Sequence, residues 1–268
     1  MKIKDIVQAV ERLAPPSLAA PWDNPGLLLG DPEAECVRVM MALDLTWPVL
    51  ETAADIDCQL ILTHHPFIFT GQKQVLAGSY EGDMIMALAQ RKIAVMAAHT
   101  NWDNAEDGIN WTLAKTLELQ NVAPILDPNY TASEILLLAG DLPKPLAAAE
   151  LLEHLRSCLY LPALRAAGLK PDKMYQRLAV VGGSGMDLWP QAQAAGCDAL
   201  LSADGKHHIG LQAAHSGFAV IDGTHFATEV IGIRWLAVRL TEVLPELHVL
   251  NIEEQDPWAF YGQAGRKM

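Results

Sequence analysis

Apolar residues Ile3, Ile6, Val7, Val10 and Leu13 recur at helical spacing, with Asp5, Glu11 and Arg12 elsewhere, so the chain opens on an amphipathic helix. A Pro/Gly-rich loop follows from Pro15 to Pro32 and contains Trp22-Asp23-Asn24-Pro25-Gly26. Three apolar runs come next: Val37–Leu45, Cys58–Thr63 and Ile93–Ala98. Each is strand length and continuous rather than alternating, the pattern of strands buried on both faces. Helical segments separate them, near Pro48–Ala54 and Asp83–Gln90, and another, near Gly108–Leu119, follows. This rhythm predicts a largely parallel sheet.

Past Leu126-Asp127-Pro128-Asn129 a second unit begins. Its expected strands are Ile135–Ala139, Leu178–Val181, Ala199–Ser202 and Phe218–Asp222, and its expected helices are Leu146–Cys158 and Leu188–Ala195. A long helix near Ala227–Val243 and a strand at Leu247–Ile252 complete the chain. The segment Asp57–His65 is echoed by Gly196–His208, each a short apolar run ending near paired histidines, which reads as a weak internal repeat.

Composition narrows the classes. Of 268 residues, 51% are hydrophobic and 19% charged, an ordinary globular balance. The net charge of −13 repels phosphate backbones, so general nucleic-acid binding is not expected. The four cysteines form no CxxC pair, which argues against a disulfide framework or a cysteine zinc site. Cys58 and Cys197 open apolar runs and read as buried thiols. No signal-peptide pattern and no membrane-spanning apolar stretch is evident, so a cytoplasmic protein with no membrane association is expected.

The chemistry-bearing residues gather at the C-terminal ends of the predicted strands, where open parallel sheets bind ligands. Those ends carry Asp44, Thr63-His64-His65-Pro66, His99-Thr100-Asn101-Trp102-Asp103 and Asp222-Gly223-Thr224-His225. In an extended chain His64 and His65 point to opposite sides, so they suit two ions, one each; alternatively one binds and the other is only hydrogen-bonded. His225 and Glu229 lie four apart at the start of the long helix and share a face, and Glu229 could bridge two ions. A helix-start glutamate favoured by the macrodipole is the plainer alternative, but it leaves His225 unexplained. Asp103 is either a ligand or a turn aspartate. His99 is placed behind the ligands, orienting one of them.

Three imidazoles and two carboxylates on two ions leave coordination positions open, as in catalytic rather than structural sites. A second cluster, Asp204-Gly205-Lys206-His207-His208, either faces the same cavity and binds substrate or is a helix start capped by Asp204. Gly182-Gly183-Ser184-Gly185 reads as a tight strand-to-helix turn, with a phosphate cradle as the alternative.

Six motifs in order resemble the Nif-three-like family of dinuclear metal-centre proteins, the GTP cyclohydrolase 1 type 2 homologues. They are Trp22 to Pro32, Leu62 to Phe69, Ala98 to Asn110, Ala179 to Gly185, Ser202 to His208 and Asp222 to Glu229. The resemblance implies two divalent metal ions per chain on His64, His65, Asp103, His225 and Glu229. It also implies a two-lobed α/β fold with largely parallel sheets and a ring-shaped homohexamer. The lobes would be residues 1–126 plus 225–268 and residues 127–224, interlocked, with the metal site between them. Two departures stand out: Ser202-Ala203-Asp204-Gly205 replaces the usual Thr-Gly-Asp before the lysine, and Thr224 replaces the glycine before His225.

Mixed imidazole and carboxylate ligands suit zinc, iron, manganese, cobalt or nickel. The functional expectation is metal-assisted hydrolysis of an anionic small molecule, with GTP ring opening in that class. The alternative is a non-catalytic protein that handles or senses metal.

Overall fold

The structure, a computed structural model, describes residues 1–126 and 136–261. It divides into two compact units: Met1–Gly108 with Ile233–Glu254, and Ile109–Gly232 with the described residues from Gln255 onward. The divisions expected after 126 and 224 both fall inside the run Ile109–Gly232. The reason is packing. The helix α5 (Ile109–Thr116) buries Leu113 in the core of unit two, so the second unit starts before it.

Unit one holds a five-stranded sheet in the order β1-β4-β3-β2-β11. The strands are β1 (Gly26–Leu29), β2 (Arg38–Ala42), β3 (Leu60–Thr63), β4 (Ala94–Ala97) and β11 (His248–Asn251). The pairs β11–β2, β2–β3 and β3–β4 are parallel, as the continuous apolar runs predicted, and β1 adds on antiparallel to β4. Its helices are α1 (Ile3–Leu13), α2 (Trp47–Asp55), α3 (Tyr80–Arg91), the short α4 (Thr100–Asp103) and the later part of α9 (His225–Val243). Thr46 and Ser79 start α2 and α3 by accepting the N–H of Val49 and of Gly82. Val49, Leu50, Met84 and Leu88 from those helices pack on Met40, Ile61 and Val95 of the sheet. The alternate residues Val39, Met41, Leu60, Leu62 and Met96 are buried as well. Each such side chain contributes about 1.5–3 kcal/mol of burial free energy.

Unit two carries a six-stranded sheet in the order β5-β6-β8-β9-β10-β7. These are β5 (Gln120–Pro124), β6 (Leu138–Ala147), β7 (Arg165–Ala167), β8 (Met174–Val180), β9 (Ala199–Ser202) and β10 (Ala219–Asp222). The central β8, β9 and β10 are parallel, and the flanking β5, β6 and β7 pair antiparallel, so this sheet is mixed. Leu151 and Leu155 of α6 (Ala148–Cys158), with Leu113 and Leu117, pack against Leu138, Leu178 and Leu201 on one face. On the other face Ala192 of α7 (Trp189–Ala194) and Ile209 and Ala213 of α8 (His207–Ser216) pack against Ala179, Leu200 and Val220.

The helix expected from Leu146 begins instead at Ala148, because β6 continues through Pro143 and Pro145. Its pairing with β8 shifts register between Asp141 and Leu146, the kind of irregular stretch a strand proline requires. Ile135, the first residue of the strand expected there, lies outside the described residues.

The internal repeat has a structural counterpart. In both units a residue at positive φ (Asp57 at 53°, Gly196 at 76°) follows a helix and precedes a buried cysteine. Cys58 N–H then donates to Ala53 and Cys197 N–H to Ala192. The next residue ties the incoming strand to its neighbour. Gln59 Oε1 accepts from the N–H of Val37 and Arg38, and Asp198 Oδ2 accepts from those of Gln176 and Arg177.

Candidate metal centre

In unit one, β3 delivers His64 and His65, and the turn after β4 delivers His99 and α4. His64 is fully buried, and its Nδ1 lies 2.8 Å from the carbonyl oxygen of Ala98. His65 Nδ1 lies 2.8 Å from Asp44 Oδ1, and His99 Nδ1 lies 2.7 Å from Asp23 Oδ1. Each ring is thus held through Nδ1, which orients it and fixes the role of Nε2. His64 Nε2 stands 3.6 Å from Asp103 Oδ1 at the end of α4. One nitrogen from each of His64, His65 and His99 falls within 4.8 Å of the others, close enough to surround one ion. His99, expected to orient a ligand from behind, is itself a member of this group.

Supporting carboxylates account for this order. Burial pushes the Asp23 carboxyl up, but hydrogen bonds to His99 and Thr100 outweigh it and bring it down to about 2. Glu254 accepts the N–H of Leu43 at 2.7 Å and of Asp44 at 3.3 Å, fixing the backbone that carries the His65 partner. Burial pushes the Glu254 carboxyl up despite those bonds. The roles of Asp23, Asp44 and Glu254 were missed in the sequence. Asp44 at a strand end and Asp23 in the Trp-Asp-Asn turn were signals that could have revealed two of them.

In unit two, α9 begins at His225 and places Glu229 one turn later. His225 Nε2 is 3.0 Å from Glu229 Oε2, and Glu229 is 4% exposed. His225 Nδ1 is 2.8 Å from Asp204 Oδ2, so Asp204 orients the imidazole. It does not cap α8, whose N-cap is Lys206. Asp204 and Thr224 both adopt left-handed backbone, with φ of 54° and 60°. For a β-branched threonine that conformation is strained, and glycine takes it freely. Thr224 Oγ1 meanwhile accepts the N–H of Ala227 and starts the helix.

The Gly182–Gly185 turn packs against this pair. A Cβ on Gly183 would sit 2.0 Å from Glu229 Oε1 and 3.1 Å from His225 Nε2. Gly183 N–H is already committed to Thr228 Oγ1, so this segment is a close-packed turn rather than a phosphate cradle. Lys206 and His207 line a separate cavity of about 350 Å³ with Arg165, Met186 and Asp222. His208 is exposed on the first turn of α8.

The donors fit divalent metal. They are imidazole nitrogens and carboxylates, the rings are fixed from behind, and Gly183 keeps side-chain atoms away from His225 and Glu229.

A model of the family described as Duf34/NIF3 (NGG1p interacting factor 3) matches residues 1–257. The chain belongs to the Duf34/NIF3 family. A Streptomyces coelicolor relative is 34% identical over 90% of this chain and 86% of its own length. One from Clostridium perfringens is 30% identical over 97% of this chain and 100% of its own. Both bear the name GTP cyclohydrolase 1 type 2 homolog. The crystal structure of a Staphylococcus aureus hypothetical protein superposes with a TM-score of 0.88 at 28% identity, covering 97% of this chain and 99% of that one. This Duf34/NIF3 member therefore shares the two-sheet α/β fold of its relatives. Among its described residues no helix is long and apolar enough to cross a membrane.

Proposed function

We propose that His64, His65, Asp103, His225 and Glu229 hold two divalent ions, and that this is a cytoplasmic, metal-dependent hydrolase of an anionic small molecule. The observation that carries the reading is the shared anchoring of the histidines. Nδ1 of His64, His65 and His225 is each committed to an oxygen 2.8 Å away, which leaves Nε2 as the ligand atom. Asp44 and Asp204 orient His65 and His225, while Asp103 and Glu229 would supply carboxylate oxygens to the ions. Divalent ions bound there would supply Lewis-acid activation of water near neutral pH and positive charge for anionic oxygens. Lys206, beside His207 and His208, would offer the phosphate end of a substrate a positive charge from the cavity it lines, in a protein of net charge −13. The name shared by the relatives makes GTP the first substrate to try, and a homohexamer is the assembly to test by light scattering.

The test is a nucleotide and phosphoester panel on metal-reconstituted protein, with ion content measured on the same sample. Hydrolysis with about two ions per chain, lost in both Asp103→Ala and His225→Ala, supports the reading. Activity that survives both substitutions, or no turnover with both ions verified, overturns it; the second result points to metal handling.

A further inference from the structure

Two aromatic rings in unit one are left half exposed beside the imidazoles. Trp22 is 54% and Phe69 44% exposed, and their centroids lie 5.9 Å apart. Each also meets His99 edge-on, at 6.1 and 6.3 Å. His99 in turn meets the rings of His64 and His65, at 5.0 and 5.6 Å. One imidazole therefore joins an exposed aromatic pair to the candidate ligands.

The segments that carry these rings are fastened. Asp23, next to Trp22, binds His99 Nδ1, the N–H of Thr100 and the Thr100 hydroxyl. Asn24 Nδ2 donates to the carbonyl of Ile68, next to Phe69. Rings held this way lose little freedom when a ligand settles on them. Two rings offer far less area than the roughly 1,000 Å² a stable protein interface needs, which favours a small ligand. A ring sandwiched between them would need about 7 Å, twice the contact distance of stacked carbons. At 5.9 Å between centroids no such sandwich fits, so the ligand would rest against the exposed side of the pair.

We propose that Trp22 and Phe69 form a stacking platform for a planar heteroaromatic ring, on a ligand whose phosphate end lies at the metal ligands. Offset stacking on tryptophan and phenylalanine selects flat π-systems and tolerates their exact substituents. The inference deepens the reading above and rests on it for the phosphate end alone.

The experiment uses the intact, metal-loaded protein and three probes measured by calorimetry: guanosine 5′-monophosphate, ribose 5-phosphate, which lacks the base, and guanosine, which lacks the phosphate. The monophosphate should bind about tenfold more tightly than ribose 5-phosphate. That excess should vanish in Trp22→Ala and Phe69→Ala and largely persist in Trp22→Phe, with metal content and circular dichroism unchanged in all three. Guanosine binding should fall in the same two alanine variants. Equal binding of the monophosphate and ribose 5-phosphate, or an excess that survives both alanine changes, overturns the platform while leaving the metal reading intact. Guanosine binding that depends on Trp22, with no binding of ribose 5-phosphate, upholds the platform and removes the anionic-substrate reading instead.

Discussion

Asp204 Oδ2 holds His225 Nδ1 at 2.8 Å, although 21 residues separate the two in the chain. Unit one uses the same device twice, with Asp44 on His65 and Asp23 on His99. A carboxylate behind an imidazole sets its tautomer and raises the basicity of the other nitrogen. Asp204→Ala should therefore weaken metal binding by about 10–100-fold without touching a ligand. A chelator competition titration measures this, and an unchanged affinity would show that Asp204 does not support His225.

Gly183→Ala should destabilise the metal-free chain by about 1–3 kcal/mol beyond its backbone strain, since its Cβ would fall 2.0 Å from Glu229 Oε1 and the buried carboxylate must shift. Gly196→Ala is the control. It too has positive φ, 76°, but nothing lies within 4 Å of its Cβ position, so only backbone strain of about 1 kcal/mol is expected. Urea unfolding of the two variants separates collision from strain; equal losses would contradict the close approach.

Asp198 makes stability pH-dependent. Burial raises its carboxyl, but Lys173 at 2.9 Å and the N–H groups of Gln176 and Arg177 outweigh that and hold it below the usual value. A lowered folded pKa stabilises above the unfolded value and loses that contribution as pH falls through the folded one. Asp198→Asn should cost about 1 kcal/mol near neutral pH and progressively less below about pH 4. Denaturant melts of both proteins across that range check the sign. A gap that widens in acid would contradict it.

The thiols should be quiet. Burial pushes Cys36, Cys58 and Cys197 each up to about 11, and also raises Cys158, which is less buried. The thiolate is the reactive form, so at about pH 8 the native protein should react slowly with Ellman's reagent, Cys158 first. Mass spectrometry of the labelled peptides identifies the order, and early labelling of Cys58 or Cys197 would be inconsistent with their burial.

The strands that are buried on both faces were legible in the chain alone. Val39–Ala42, Leu60–Leu62 and Ala199–Leu201 are continuous apolar stretches because both sides of each strand are covered, and runs this short suit strands rather than helices. Helical spacing likewise marked α1. Chain order placed His64, His65, Asp103 and His225 at strand ends or just beyond them, because the parallel strands of a sheet deliver their C-terminal ends to one edge.

The edge strands and the partners of the histidines emerge only in the folded chain. β1, β5 and β7 lie at the sheet edges and are half-buried or exposed, so burial imposes no double-faced apolar pattern on them, and only the neighbouring strand makes them strands. The partners of the histidines were hidden for a related reason. Asp23 and His99 are 76 residues apart, and Asp44 and His65 are 21 apart, so although a strand end and a turn mark the two aspartates, nothing local in the chain says which histidine each one holds. A hydrogen bond between distant residues exists only once the sheet has brought its strand ends together.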